Sequence, residues 1–281
     1  MEFLFSVFTP TYNRANTIGR TYEYLCKQTL RSFEWIIVDD GSTDNTEEIV
    51  QKWINTNKIS IVYLKQENGG KHRAFNRAVQ IAKGEIFICL DSDDYYIETA
   101  LEIIYSYHLI HKDNPWIAGF SCNSLDLHGN LIGTSLPVDE LVVSHYNLYN
   151  SLSVKGDKGL IYYTRILKEY PFPEFENEFF VTEALVLNRI SLRYKICCIK
   201  RSLEIKDYQR DGLSSKYRHL CLRNPNGYAL YINERNYFNL SFTNYVINAA
   251  SYVRYSLFAG KSFRNIYKEA INRRWTFIIA C

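Results

Sequence analysis

The sequence predicts an α/β fold in which a largely parallel sheet is flanked by helices and followed by a C-terminal helical appendage. Strand and helix patterns alternate from residue 3 to residue 111, as expected when helices cover both faces of a parallel sheet. From Tyr217 onward the apolar residues recur with helical spacing. Of the 281 residues, 47% are hydrophobic and 15% are aromatic, a composition that excludes a disordered protein.

The first two strands are predicted at Phe3–Thr9 and Trp35–Val38, which are short apolar runs that end in polar residues. A helix is expected to begin at Asn16 or Thr17 between them. Asp44 is followed by Glu47, a capping-box pattern that predicts the start of the next helix. The predicted buried stripes of these helices are Ile18, Tyr22 and Leu25 in the first and Ile49, Val50, Trp53 and Ile54 in the second.

The third and fourth strands are predicted at Ile59–Lys65 and Glu85–Leu90. Between them, Asn68-Gly69-Gly70 breaks the chain and a small-residue helix follows, which we expect to end at Gly84. The apolar positions of that helix are Ala74, Ala78, Ile81 and Ala82.

A helix from about Ile97 to His111 follows the fourth strand. After it, Trp116–Cys122 is expected to form a strand, Asp126–Asn130 a turn and Leu131–Leu136 a returning strand. Three segments are therefore predicted: 1–115 as the ligand-binding half of the main domain, 116–216 as its second half, and 217–281 as the helical appendage.

The seven cysteines form no CxxC pair and no zinc-like spacing, so most are expected to be reduced thiols in the core of a cytoplasmic protein. The start of the chain is interpreted as a first strand rather than a signal peptide, because it lacks a basic leader and a small-residue cleavage site. No apolar run approaches the ~18 residues that a spanning helix needs.

The charge of the chain is unevenly distributed. Residues 217–281 contain nine Lys and Arg against two Glu, a net charge of +7, whereas the whole chain carries +3. No recognised motif supports nucleic-acid binding by this basic, aromatic segment. The remaining alternatives are a solvated basic face at a homo-oligomer interface and peripheral contact with an anionic membrane at its cytoplasmic face.

Polar residues follow three of the four predicted strands, at the carboxyl ends where ligands bind in such sheets. The run Asp91-Ser92-Asp93-Asp94 places three carboxylates at the end of the fourth strand. Carboxylate oxygens suit Mn²⁺ or Mg²⁺, and such a cation also binds diphosphate oxygens. A solvated acidic turn is the alternative for this run, and the neighbouring carboxylate of Asp39 favours the metal site.

Asp39 and Asp40 directly follow the second strand, where capping is not expected to need them. A carboxylate there would accept a hydrogen bond from a nucleobase N–H or a ribose hydroxyl. In Pro10-Thr11-Tyr12-Asn13-Arg14, Tyr12 is suited to stacking on a base and Arg14 to phosphate, and ordinary loop packing is the alternative. Lys71 follows two glycines at a helix N-terminus, a place that favours anions such as a diphosphate, and an ordinary surface lysine is the alternative.

A second acidic cluster contains Glu174, Glu176, Glu178 and Glu183. Only Glu183 has apolar neighbours on both sides, where a carboxylate is costly unless it is used or paired. We therefore expect Glu183 to be a general base and the other three to be loop charges that face solvent.

Taken together, Pro10–Arg14, Val38–Asp44, Asn68–Lys71 and Leu90–Asp94 resemble glycosyltransferase family 2, in the order in which its motifs occur. The resemblance covers roughly residues 3–115 and implies a GT-A fold of the bacterial cell-surface polysaccharide type. It also implies an inverting mechanism, a donor that is usually a UDP-sugar, and a glycan or lipid-linked acceptor. The resemblance implies that Asp39 lies at the uracil and that Asp91 and Asp93 lie at the ribose and the metal, with Asp94 beside them. Together with the residue arguments above, the predicted nucleotide contacts are Thr9, Pro10, Tyr12, Arg14, Asp39, Asp40, Lys71, Asp91 and Ser92, and the predicted metal ligands are Asp91, Asp93 and Asp94.

The resemblance places the base in the acidic segment that contains Glu183, although the family's common Glu-Asp pair stands here as Glu183-Ala184. Lys155–Gly159 and Tyr208–Ser214 also resemble a capsular or lipopolysaccharide subgroup. Two other functions stay open: a sugar-nucleotidyltransferase, which would usually need a glycine-rich loop where Thr9–Arg14 has none, and a non-catalytic module that binds nucleotide-sugars.

Overall fold

The computed structural model of the chain describes residues 3–209 and 216–280. Within them, one sheet has nine strands. The strands are β1 Phe5–Thr11, β2 Phe33–Asp39, β3 Ser60–Lys65, β4 Ile86–Cys89, β5 Tyr95–Tyr96, β6 Ile117–Asp126, β7 Val142–Val143, β8 Gly159–Tyr163 and β9 Lys195–Lys206. Their order is β3-β2-β1-β4-β8-β6-β9-β5, and β7 pairs with β9.

The helices alternate with the first strands and then follow one another at the end of the chain. They are α1 Ile18–Cys26, α2 Thr46–Thr56, α3 Lys71–Ile81, α4 Ala100–His111, α5 His145–Asn150, α6 Thr164–Glu169, α7 Glu183–Ser191, α8 Tyr217–Arg223, α9 Pro225–Glu234, α10 Phe242–Phe258, α11 Phe263–Glu269 and α12 Arg273–Ala280. No helix within the described residues has the length and apolarity needed to cross a membrane.

The chain forms two compact units. The first contains residues 1–171 and 189–209 and holds the sheet, and the second contains residues 172–188 and 210–281. The mixed, largely parallel sheet, its flanking helices and the C-terminal helices confirm the predicted fold class.

The parallel part of the sheet places the site. β1 pairs in parallel with β2 and with β4, and β2 pairs in parallel with β3. All seven residues of β2 are buried, as its unbroken apolar run predicts for a central parallel strand. Because the four strands run in one direction, the residues after β1, β2 and β4 lie at the same edge.

The predicted capping box at Asp44 and Glu47 is wrong. Helix α2 begins at Thr46, and its cap residue Asn45 makes no capping hydrogen bond. The carboxylate of Asp44 accepts hydrogen bonds from the amides of Thr46 and Ala15, both at 3.0 Å, so it joins two loops. Glu47 forms an ion pair with Lys65 at 2.7 Å instead of turning back to the helix start.

Gly84 does not end α3, because that helix stops at Ile81. The glycine is required by a close approach of two main chains: a Cβ at this position would lie 2.3 Å from the backbone of β1. The amide of Gly84 donates a 2.8 Å hydrogen bond to the Ser6 hydroxyl at that crossing.

The expected returning strand Leu131–Leu136 is also wrong. After the turn at Asp126–Asn130, only an isolated bridge joins Leu131 to Leu125. β6 instead pairs with β8 and β9, which are distant in sequence. Of the six cysteines in the described residues, five are buried and none forms a disulfide, as predicted.

The helices of the second unit share an apolar core of their own. It contains Ala229, Ile232, Tyr252, Val253, Ile266 and Ala270, contributed by α9, α10 and α11. The predicted break at Asn224-Pro225-Asn226-Gly227 separates α8 from α9, and Pro225 occupies the first turn of α9, where its missing N–H is not needed.

Candidate functional site

The loops after β1 and β2 are tied together by their own polar side chains. Asn13 has a φ of +53°, a left-handed conformation that asparagine tolerates. Its side-chain oxygen accepts the amide of Thr43 at 2.8 Å, and its own amide donates to the Ser42 hydroxyl at 2.9 Å. The amide of Asp40 donates to the carbonyl of Thr11 at 2.8 Å. These bonds hold the loops after β1 and β2 together on one side of the candidate site, at the carboxyl edge of the parallel strands.

Asp39 lies at the end of β2 with no exposed surface. One carboxylate oxygen accepts the Ser42 amide at 2.6 Å, and the other accepts the Tyr63 hydroxyl at 2.6 Å. Burial and the charge of Asp39 raise the pKa of Tyr63 well above its usual range, so the phenol stays a donor. The structure thus gives Asp39 a role in shaping the loop after β2.

Asp40 holds the two-glycine loop that precedes α3. Its carboxylate accepts the amides of Gly69 at 2.8 Å and Gly70 at 2.7 Å, and the side chain of Gln66 at 2.8 Å. Neither Asp39 nor Asp40 caps α2, the helix that follows β2, but both carboxylates order loops through main-chain amides. Asp40 fixes the position from which α3 and Lys71 begin.

Lys71 and the Asp91–Asp94 run lie together. The ammonium of Lys71 is 2.7 Å from a carboxylate oxygen of Asp91. Burial opposes the charge of Asp91, but Lys71 and Lys206 outweigh it and hold the pKa of Asp91 below its usual range. Burial and the charge of Asp91 raise the pKa of Asp93 to about 6. The charges of Arg14 and Lys206 act in the opposite direction but do not outweigh these two effects.

Two of the three predicted metal ligands, Asp91 and Asp93, are suited to a divalent cation. No cluster of three or more His, Cys, Asp or Glu side chains suited to a metal occurs in residues 3–209 and 216–280. Asp91 and Asp93 nevertheless offer hard oxygen donors two residues apart, and a cation would offset both the burial and the repulsion from Asp91 that raise the pKa of Asp93. Such a site would be completed by ligands from outside this pair, for which diphosphate oxygens are suited.

Asp94 has other partners. One of its oxygens lies 3.0 Å from the ammonium of Lys206, and the other accepts the amide of Asp207 at 2.9 Å. Lys206 also lies 3.2 Å from Glu204, whose second oxygen accepts the Ser124 hydroxyl at 2.7 Å. The structure therefore gives Asp94 the role of anchoring the acidic run to β9 rather than that of a free metal ligand.

Lys206 and Glu204 were not predicted from the sequence to lie at this site. Burial opposes the charge of Lys206, but Glu204 and Asp94 hold its pKa well above the usual range. β5, which directly follows Asp94, pairs with β9 so that Tyr95 opposes Ile205 and Tyr96 opposes Glu204. The sequence Ser-Leu-Glu-Ile-Lys at residues 202–206 alternates charged and apolar residues in a strand, and this pattern could have indicated that Glu204 and Lys206 are buried and paired.

The remaining predicted nucleotide contacts differ in accessibility. Thr9 has no exposed surface, and its hydroxyl accepts the indole N–H of Trp35 at 2.9 Å inside the sheet. Ser92 is buried as well. Tyr12 is 48% exposed and open to stacking, and Pro10 and Arg14 are partly buried beside it.

Of the second acidic cluster, Glu183 begins α7 and lies in its first turn. The expectation that Glu178 faces solvent is wrong, because it is 3% exposed. Its carboxylate accepts the amides of Asn226 at 2.7 Å and Gly227 at 2.9 Å and so caps the start of α9.

The later predicted motifs are partly described. Tyr208 donates a 2.8 Å hydrogen bond to the carboxylate of Asp157. The ammonium of Lys158 is buried and donates to the main-chain carbonyls of Ile132 and Lys155 at 2.8 and 3.3 Å. Residues 210–214 of the last motif lie outside the described residues.

Comparison with known proteins agrees with this geometry. The profile of the family described as "Glycosyl transferase family 2" matches residues 6–125, which contain every strand-end loop discussed above. Residues 6–125 therefore carry a domain of glycosyltransferase family 2. Its resemblance to the family, inferred from the motifs, is thereby confirmed.

Two curated relatives illustrate the similarity. The glycosyltransferase GlyG of Streptococcus pneumoniae is 35% identical over 149 residues, covering 51% of this chain and 48% of GlyG. The poly(ribitol-phosphate) beta-N-acetylglucosaminyltransferase TarS of Staphylococcus aureus is 32% identical over 200 residues, covering 67% of this chain and 34% of TarS. The chain thus spans less than half the length of both relatives.

Solved structures share the fold. Residues 1–349 of S. aureus TarS, in complex with UDP-GlcNAc, match with a TM-score of 0.62 at 21% identity, over 95% of this chain and 84% of that one. A mannosyltransferase from Pyrobaculum calidifontis, in complex with GDP-Man and Mn²⁺, matches with a TM-score of 0.58 at 16% identity, over 99% of this chain and 83% of that one.

Proposed function

We propose that this chain is an inverting glycosyltransferase that transfers a sugar from a UDP-sugar to a hydroxyl of a glycan or lipid-linked oligosaccharide in surface polysaccharide synthesis. The observation that carries the proposal is the grouping of Lys71, Asp91 and Asp93 at the strand-end edge of the sheet, with Lys71 only 2.7 Å from Asp91. The UDP complexes of TarS support the choice of nucleotide.

On the donor side, Lys71 and the N-terminus of α3 would bind the diphosphate. Asp91 and Asp93 would hold Mn²⁺ or Mg²⁺, which when bound neutralises the leaving diphosphate. Tyr12 would stack on the base and Arg14 would meet a phosphate. Asp39 at the uracil stays a prediction and requires a local opening, because its side chain has no exposed surface in this structure.

On the acceptor side, Glu183 would be the general base. The acceptor oxygen attacks the anomeric carbon, its proton passes to the Glu183 carboxylate, and the bond from that carbon to the diphosphate oxygen breaks with its electron pair. A single displacement of this kind inverts the anomeric configuration.

The donor half is tested with Asp93→Asn and with Asp113→Asn as an exposed control. UDP binding is measured by calorimetry with and without Mn²⁺, over a panel that includes UDP- and GDP-sugars. We expect the control to bind as the parent does and Asp93→Asn to lose the Mn²⁺-dependent increase in affinity. An increase that survives in Asp93→Asn would remove the metal site from the proposal.

The acceptor half is tested with Glu183→Gln and with Glu176→Gln, another exposed loop carboxylate, as control. We expect UDP affinity to stay within twofold in both variants and the transfer rate of Glu183→Gln to fall at least about 100-fold. Transfer by Glu183→Gln at the parent rate would place the base elsewhere. Donor binding without transfer or UDP-sugar hydrolysis by the parent would favour a non-catalytic binding module.

A further inference from the structure

The outer face of α10 carries apolar side chains that the described residues leave in water. The inner face of this helix holds Asn248, Ala249, Tyr252, Val253 and Ser256, which are buried. On the opposite face, Ile247 is 58% exposed and Phe258 is 53% exposed. Ile247, Ser251, Arg254 and Phe258 follow one another at intervals of four, three and four residues, so they form a single stripe along the helix.

The segment that contains this stripe is strongly basic. Helix α10 contains no acidic residue, and residues 217–280 contain nine Lys and Arg against two Glu. One of these, Glu269, forms an ion pair with Lys261 at 2.6 Å. The guanidinium of Arg254 lies 5.5 Å from the ring centroid of Phe258, so the cation and the apolar ring form one amphipathic element.

Helix α11 repeats the same composition. Its inner residue Ile266 is 1% exposed and belongs to the core of the second unit, whereas Phe263 is 54% exposed and Arg264 is exposed beside it. Two successive helices therefore each present an aromatic side chain next to an arginine.

We propose that the outer stripe of α10, formed by Ile247, Ser251, Arg254 and Phe258, docks on an anionic lipid surface. A stripe with two large apolar side chains, one arginine and no carboxylate, in a segment of net positive charge, is complementary to acyl chains below negatively charged headgroups. The aliphatic stem of Arg254 covers apolar surface while its charged end reaches the headgroups.

The same features disfavour other occupants. Pairing this stripe with a second copy of the chain would bring two strongly basic helical segments together, and like charges across an interface are costly. A soluble polyanion would neutralise the arginines and leave Ile247 and Phe258 in water, with no gain from burying them.

The test is flotation of the 281-residue chain with vesicles of phosphatidylcholine alone or with about 30 mol% phosphatidylglycerol, roughly one anionic lipid in three. We expect binding only to the anionic vesicles, weakened as salt is raised. The variant Ile247→Ser/Phe258→Ser should reduce partitioning by at least about tenfold, because it removes two apolar anchors. Arg254→Glu should reduce it by about fivefold or more.

Matched controls are Ile110→Ser, an exposed apolar residue of α4 at 61% exposure, and Lys58→Glu, an exposed lysine. Both should float as the parent does. Circular dichroism establishes that each variant is folded. If the double variant unfolds, the proposal is tested by Arg254→Glu and by the salt dependence of binding. The proposal is overturned by equal binding to both vesicle types, by losses in the controls as large as those in the stripe, by binding to soluble polyphosphate but not to vesicles, or by self-association through this face.

Discussion

Replacing Lys206 with Met should destabilise the protein strongly, because the lysine is the cation of a buried cluster. Its side chain is 12% exposed, and its partners Asp94 and Glu204 are 6% and 2% exposed. Methionine has a similar length and fills the space but leaves two carboxylates without the ammonium that lies 3.0 and 3.2 Å away. The remaining hydrogen bonds, from Ser124 and from the amide of Asp207, do not replace a full positive charge.

The magnitude follows from the burial of the cluster. Removing one partner of a buried ion pair costs about 3–5 kcal/mol in unfolding free energy, because a charge is left uncompensated. At about 2–4 °C per kcal/mol for a chain of this size, the midpoint of thermal unfolding should fall by roughly 10 °C. The assay is thermal and urea unfolding followed by circular dichroism, at pH 7.5 without metal.

Two further variants separate this explanation from a general effect of losing a lysine. Lys52→Met removes an ion pair with Glu48 at 2.9 Å in which the side chains are 69% and 65% exposed. An exposed pair of this kind contributes under about 1 kcal/mol, so this control should change little. Combining Lys206→Met with Asp94→Asn and Glu204→Gln should restore most of the lost stability. Equal effects of Lys206→Met and Lys52→Met would refute the reasoning.

Three other predictions concern residues whose partners are distant in sequence. Asp40→Asn should lower the unfolding free energy by about 2 kcal/mol in urea titrations, because an amide offers one acceptor oxygen where the carboxylate offers two to the glycine loop. Glu178→Ala should cost about 2–3 kcal/mol, because the buried amides at the start of α9 lose their acceptor. His145→Gln should remove an acid-dependent loss of stability: burial lowers the pKa of His145 from 6.5 to about 4. The unfolded chain therefore takes up this proton first, and the stability present above pH 6.5 falls by about 3 kcal/mol as the pH drops towards 4.

Each of these variants has a direct control. Asp113→Asn and Glu176→Ala change exposed carboxylates and should stay within about 0.5 kcal/mol of the parent. An unfolding free energy of Asp40→Asn or Glu178→Ala that matches its control would contradict the assigned hydrogen bonds. For His145, unfolding is followed between pH 4 and 7, and a parallel decline in the parent and in His145→Gln would show that other groups cause the acid sensitivity.

The sequence alone determined the fold class and the sheet edge at which we propose the donor site. The apolar runs before Asp39 and Asp91 are buried parallel strands, and the parallel arrangement brings the residues after them to one edge. Both facts follow from local patterns, since a strand's burial and its end are encoded in neighbouring residues. The grouping of Asp91 and Asp93 could therefore be predicted without a structure.

The tertiary structure decided which carboxylates have a structural partner. Asp40 accepts from an amide 29 positions away, Glu178 from one 49 positions away, and Asp94 from Lys206, 112 positions away. Whether a carboxylate faces solvent, a ligand or a buried donor depends on which distant segment packs against it, and a one-dimensional pattern does not contain that information. For this reason the acidic run Asp91–Asp94 divides in the structure. Asp94 is anchored to β9 by Lys206 and the amide of Asp207, whereas Asp91 pairs with Lys71 and forms the proposed metal site together with Asp93.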